Sequence, residues 1–262
     1  MKESKASSYL QKLYITIIYF FVYIPVVIMV VFSFNSLSSN QHWESFTLDY
    51  YAKLLSDQEM FQVLMNSLTL SIVSTGIALI IGTLGAYALS RIRFKSKKFM
   101  NFMIFVPMVI PEVVIAVAFL GLTGVIGISK GFGIMVCAHT IFILPYIIVT
   151  MKARFANYDV SIEEASMDLG AGRFYTFIHV ICPMIMPGIF SGGLMAFSLS
   201  FDDLIVSSFL CGTGYMTLPV KIYSNLKVGI SPEYNALYTI ILIIMLIGTA
   251  TIGIKNYRKS EV

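Results

Sequence analysis

The chain has 262 residues, of which 57% are hydrophobic and only 12% charged, with a formal net charge of +4. A mean hydropathy of +0.82 lies well outside the range of a soluble domain. Length alone would allow one or two globular domains, but the apolar runs set the class: an all-α polytopic membrane protein, with residues 1–262 forming a single transmembrane domain.

Six stretches reach the roughly 20 residues that a helix needs to cross hydrocarbon. The first, 13–34, is too long for a signal-peptide core and has no small-x-small cleavage site after it, so it reads as a retained anchor. Loop 35–65 carries Trp43 and the pair Tyr50-Tyr51. Within it, the spacing of Tyr51, Leu54, Leu55, Met60 and Phe61 predicts a short helix over 49–63 lying on the membrane surface. The second span, 66–90, ends in the run RIRFKSKK, a stop-transfer and headgroup contact. Pro107 and Pro111 predict a kink or break in the third span, 99–126. The fourth span is 133–151. A polar loop, 152–182, leads to the fifth, 183–210. Segment 211–235, with Pro219 and Pro232, predicts a partly helical hairpin before the sixth span, 236–254.

Lysine and arginine fix the orientation. With both termini cytoplasmic, every basic residue falls inside except Lys53, Lys130, Lys221 and Lys227. The net charge therefore reports topology rather than nucleic-acid binding. The same count puts loop 152–182 in the cytoplasm.

That loop has an organised pattern. Ser161 and Glu164 stand three apart, the spacing of a capping box, and Glu163 and Glu164 fall in a first helical turn where the helix dipole favours negative charge. Ile162, Ala165, Ser166 and Leu169 share one face, small enough to enter a groove. Gly170-Ala171-Gly172 ends the helix, because glycine accepts the left-handed conformation of a C-terminal cap. The spacing Glu-Ala-Ala, three residues, Gly, nine residues, Ile-x-Leu-Pro is matched here by Glu164, Ala165, Gly170 and Pro183, with Ser166, Val180 and Cys182 as departures. It resembles the "EAA" loop of binding-protein-dependent ABC importer permeases of type I. That resemblance implies a helix, with Ser161, Glu164, Ala165 and Gly170 in it, that docks into a cytoplasmic ATPase subunit.

No Gly-x-x-x-x-Gly-Lys-Ser/Thr phosphate loop occurs, so no cofactor is expected in this chain, and ATP with its magnesium belongs to a partner ATPase. Cys137, Cys182 and Cys211 have neither a pairing framework nor metal spacing. His139, within the fourth span, is expected to hydrogen-bond across helices rather than to hold a metal.

Three acids fall within spans: Glu112, Asp202 and Asp203. A carboxylate at a helix centre costs about 2.5–3.5 kcal/mol on insertion scales, so such residues face a bundle interior or an aqueous cavity. No basic residue lies within a span near them. Protonation, water, backbone donors, a partner subunit or a cationic substrate must stabilise them, and the last is favoured. At 1.5 Å per residue, Glu112 lies roughly 20 Å and Asp202 roughly 29 Å from the cytoplasmic ends of their helices, where cargo from outside would first arrive. Adjacent residues point about 100° apart, so Asp202 is assigned to the pathway while Asp203 caps, pairs or contacts a second subunit.

The runs IPEVVIAVAFL (110–120), SFDDLIVSSFL (200–210) and ISPEYNAL (230–237) look like those of the permease subunits of spermidine/putrescine importers. This resemblance implies transport by alternating access in a bacterial inner membrane. The implied partners are a second, homologous permease, an ATPase dimer and an extracytoplasmic polyamine-binding protein, with membrane lipid around the bundle. Rival readings are the same machine with other cargo (an amino acid, an iron complex, an osmolyte), a proton-coupled secondary carrier using Glu112 and Asp202, and a scaffold without transport.

Overall fold

The computed structural model describes residues 5–37, 42–226 and 232–260. Lys2 and Lys227, residues 38–40 of the serine-rich patch and the start of the ISPEYNAL run lie outside them. The described chain is mostly helical and forms no β-strand. The helices are α1 (Lys5–Phe32), α2 (Asp49–Ser56), α3 (Gln58–Arg91), α4 (Lys97–Val109), α5 (Glu112–Ile126), α6 (Phe132–Ala156), α7 (Val160–Asp168), α8 (Arg173–Thr176), α9 (Cys182–Phe201), α10 (Ile205–Leu210), α11 (Leu218–Leu226) and α12 (Pro232–Ser260).

Four described helical stretches are long and apolar enough to cross a membrane: Gln11–Phe32, Gln58–Arg91, Phe132–Ala156 and Arg173–Phe201. A fifth crossing results if α4 and α5 are one broken span. The sixth expected span falls on α12, whose described apolar stretch, Pro232–Gly248, is shorter. The chain divides into two compact units.

The first unit joins residues 1–61 to 224–262. In it α12 packs against α1 and α2, and Lys53 of α2 pairs with Glu233 of α12 at 3.2 Å. Buried Asn35 pins the loop after α1: its Nδ2 donates to the His42 carbonyl at 2.8 Å and its Oδ1 accepts the Glu44 N–H at 2.8 Å. The expected surface helix over 49–63 is shorter than the apolar spacing suggested. Asp57 interrupts it with an extended backbone (φ −80°, ψ 97°), and its side chain accepts the Met60 N–H at 3.0 Å. An aspartate capping in this way starts a new helix, and Met60 and Phe61 belong to α3.

The second unit, residues 62–223, is built around α6. Ile143, Ile147 and Met151 are fully enclosed in its core. α9 lies close against α6 because Gly188 and Gly192, four residues apart, present no side chains: a Cβ on Gly188 would stand 2.5 Å from Arg154 Cγ, and one on Gly192 3.5 Å from Thr150 Cγ2. A glycine pair i, i+4 of this kind lets side chains of one helix seat against the backbone of the other.

Proline chemistry shapes two spans: the third breaks, as its prolines predict, and the fifth departs from the bounds expected for it. Ile110 precedes Pro111, whose ring excludes the helical conformation of its neighbour, and Ile110 is extended (φ −68°, ψ 130°). Pro111 then stands where its missing N–H costs nothing, just before α5. The third span is thereby two helices bent by 98°. In the fifth, helix begins at Arg173, ten residues earlier than expected, and runs through a π-helical turn, Phe177–Ile181. There the Cys182 N–H reaches back five residues to the Phe177 carbonyl. Pro183 follows directly, and its lack of a donor and its bulk explain the widened turn.

Candidate functional site

The break at Pro111 puts Glu112 in the first turn of α5, where unpaired backbone N–H groups and the helix dipole favour an anion. Its carboxylate has no hydrogen bond or ion pair among the described residues. Glu112 lines a cavity of about 280 Å³ with Pro107, Pro111, Phe142, Tyr146 and Ile205. Phe142 and Tyr146, one helical turn apart on α6, set their rings edge to face with centroids 6.1 Å apart. The cavity thus combines one carboxylate with aromatic and aliphatic walls.

The two aspartates take different positions. Asp202 ends α9 and is exposed. Asp203 is buried and turned toward α10, accepting the N–H groups of Val206 at 3.2 Å and Ser207 at 2.8 Å. The same carboxylate meets His139 Nε2 at 3.4 Å. His139 is wholly buried and also contacts Ser200 Oγ at 2.8 Å through Nδ1 and Ser207 Oγ at 3.2 Å through Nε2. It therefore bridges α6 to α9 and α10, the cross-helix bonding expected of it. The expectation that no basic side chain lies near the intramembrane acids is corrected: His139 is 64 positions from Asp203, beyond the reach of local spacing. Ser198 and Ser208 return their hydroxyls to the carbonyls of Leu194 and Ile205. The structure brings Glu112 and Ile205 to one cavity, and Asp202 is not among its lining residues.

In the polar loop, α7 starts earlier than the capping-box spacing indicated. Asp159 is its N-cap, accepting the Ser161 N–H at 2.9 Å, so Ser161 and Glu164 are both inside the helix. That bond holds the Asp159 carboxyl below the usual carboxylate range. At the other end Gly170 is left-handed (φ +91°). The Gly170 N–H bonds the Met167 carbonyl at 2.9 Å and the Ala171 N–H bonds the Ser166 carbonyl at 3.2 Å, the paired pattern of a Schellman turn. Glu164 and Ala165 are exposed, as are Ile162 at 38% and Leu169 at 90%. Ser166 turns inward and contacts Thr176 Oγ1 at 3.0 Å.

Glu163 has the opposite environment from its neighbour and is the only buried residue of α7. It accepts the Tyr87 hydroxyl and pairs with Arg91 Nε at 3.3 Å. Sequence spacing gave it only a place in a first turn, since its partners lie over 70 residues away.

A profile described as "Binding-protein-dependent transport system inner membrane component" matches residues 78–257. The chain belongs to that family. Its members are inner-membrane transport components, which fits the apolar spans. The chain is 42% identical over 234 residues, 89% of each sequence, to the spermidine/putrescine transport system permease protein PotC of Escherichia coli (strain K12). It is 39% identical over 229 residues to the putrescine transport system permease protein PotI of the same strain, covering 85% of this chain and 82% of that one. Among solved structures, it is similar to a chain of a bacterial ABC transporter that imports the acidic polysaccharide alginate. That match has a TM-score of 0.77 and 16% identity, over 97% of this chain and 98% of the other. A chain of the MetNI methionine ABC transporter matches with a TM-score of 0.58 and 18% identity, over 74% and 95%. At those identities the structural likeness establishes the fold alone.

Proposed function

We propose that the chain is the membrane-spanning permease subunit of an ATP-driven importer of spermidine or putrescine. In this reading residues 1–262 act as one permease domain of six spans with both termini cytoplasmic. It works beside a second permease, above an ATPase dimer that binds ATP and magnesium, and receives cargo from an extracytoplasmic binding protein. α7 is the segment that docks on the ATPase, presenting Ile162, Ala165 and Leu169, while Gly170 permits the turn behind it.

One observation carries the cargo assignment: the Glu112 carboxylate has no partner among the described residues and stands beside Phe142 and Tyr146. A polyamine is a chain of ammonium groups separated by methylenes. The carboxylate suits the charge, the rings suit an ammonium over their faces, and the aliphatic walls suit the spacers. Asp202 provides a second acid toward the pathway. Asp203 contributes indirectly, by holding the α9–α10 break that sets Asp202 and Ile205 in place. Alternating access then follows from rocking of the bundle as the ATPases close and reopen, with cargo held weakly enough to leave.

The test is uptake of labelled spermidine and putrescine by the reconstituted complex, with and without ATP. ATP-dependent uptake is expected. Glu112→Gln should lower it about tenfold, the loss of one charged contact of about 1.4 kcal/mol, with the ATPase still copurifying. Failure of both polyamines to enter or compete would refute the cargo. Uptake indifferent to ATP and abolished by an uncoupler would instead identify a proton-coupled carrier.

A further inference from the structure

We infer that Tyr87, Arg91 and Glu163 form a transmission link that makes α3 follow α7. The inference rests on the proposed reading of α7 as the ATPase-docking segment. A displaced α7 reaches α9 through the chain itself, by way of the Schellman turn, α8 and the π-helical turn. α3 has no such connection, because Tyr87 precedes Glu163 by 76 residues. Its tie to α7 is made by side chains.

Those side chains have the geometry of a clamp. Tyr87 and Arg91 are four residues apart and so share one face of α3. Each takes one oxygen of the Glu163 carboxylate: the tyrosine hydroxyl donates to Oε1, and Arg91 Nε stands 3.3 Å from Oε2. The guanidinium also lies over the ring of Tyr158, 5.1 Å from its centroid, gripping the residue just ahead of the α7 cap. Burial and the nearby Glu163 charge push the Tyr158 hydroxyl's pKa up. The Tyr87 ring is wedged between Phe155 at the end of α6 (5.7 Å) and Phe177 in the π-helical turn (5.1 Å).

The choice of residue at the centre supports transmission over simple adhesion. Glu163 is the only buried residue of α7. A buried ion pair is a poor adhesive, since an apolar side chain of the same size would hold the helix at less desolvation cost. What a carboxylate held by one hydroxyl donor and one cation supplies is a single relative position of two helices. An apolar contact would let α7 slide on α3, whereas this contact breaks if α7 moves without it.

The test compares cargo imported per ATP hydrolysed in the reconstituted complex. Glu163→Gln, Arg91→Gln and Tyr87→Phe should each lower that ratio, by about tenfold for the charged pair, while ATP hydrolysis and ATPase copurification stay near the parent's. The exchange Arg91→Glu with Glu163→Arg should recover much of the ratio. A role confined to stability would lower uptake and hydrolysis together and leave the ratio unmoved, which would overturn the inference. So would an unchanged ratio in the single variants, or single variants that the exchange does not improve. If Glu163→Gln does not assemble, Tyr87→Phe and the exchange still decide the matter. Failure of the underlying reading is separately visible, because the parent complex would then show no ATP-driven uptake at all.

Discussion

Asp203 and Asp202 are adjacent and chemically identical, yet their surroundings assign them opposite consequences for stability. Asp203→Ala removes the acceptor for the Val206 and Ser207 N–H groups and for His139. Both backbone donors are buried, and each buried donor left unsatisfied costs about 1–3 kcal/mol. Taking the middle of that range for two donors gives about 4 kcal/mol. At about 2–4 °C per kcal/mol for a chain of this size, Tm should fall by roughly 8–16 °C. Asp202→Ala removes an exposed side chain with no partner among the described residues and should stay within about 0.5 kcal/mol of the parent, or under about 2 °C. Asp203→Asn keeps one acceptor oxygen and should fall between. The assay is thermal unfolding of the detergent-purified protein followed with a thiol-reactive fluorophore. Exposed Cys137 sets the baseline, and the half-buried Cys182 and Cys211 report opening. An Asp203→Ala shift no larger than that of Asp202→Ala would refute the capping role.

Gly212→Ala should destabilise by about 1–3 kcal/mol, because the new Cβ would lie 2.4 Å from the Lys130 carbonyl oxygen, a backbone atom that cannot swing aside. Loss of amide-exchange protection at Gly131, whose N–H bonds the Leu210 carbonyl at 3.0 Å, would check it; intact protection would count against the close approach. The Asp159 carboxyl, depressed by the Ser161 N–H, gives α7 a pH dependence of definite sign. Its stabilising effect is complete above the ordinary carboxylate pKa and is lost as pH falls through the depressed one. Protection of the Ser161 amide should decline across that acidic window, and Asp159→Asn, which caps without titrating, should remove the decline.

The elements that were legible in the sequence are those fixed by local chemistry. Apolar length gave the four long membrane-crossing helices, Gly170 gave the end of α7, and Pro111 gave an interruption of the third span. What spacing withheld was the consequence of each signal in three dimensions. Pro111 marks a break but says nothing of 98°; that angle depends on where α5 finds its packing, against α6 and α10. The fifth span ends at Phe201 without proline or glycine, because Asp203 serves the N–H groups of α10 and so begins a new helix. The start of α7 was misplaced by two residues because Asp159 and Ser161 are both good caps, and only the fold selects one. His139 with Asp203, and Glu163 with Tyr87, are pairs made by topology, and no local period links them.

The two helix breaks also carry an electrostatic asymmetry that bears on the proposed cargo. Glu112 sits at the N-terminal end of α5, where the helix dipole offsets a negative charge. Asp203 does the same for α10, more completely, through its two N–H bonds. Asp202 is placed the other way: it closes the C-terminal end of α9, where the last carbonyls already present partial negative charge. A carboxylate there is opposed by the dipole of α9, and its side chain has no hydrogen bond or ion pair among the described residues. A cation arriving at Asp202 would meet a full negative charge and the carbonyl end of a helix together, a combination found where broken helices hold cations in membranes. On the proposed reading, the break after Phe201 therefore offers a cation a carboxylate beside helix-end carbonyls. The break at Pro111 offers a carboxylate against aromatic walls, and a polycation with separated charges can use both.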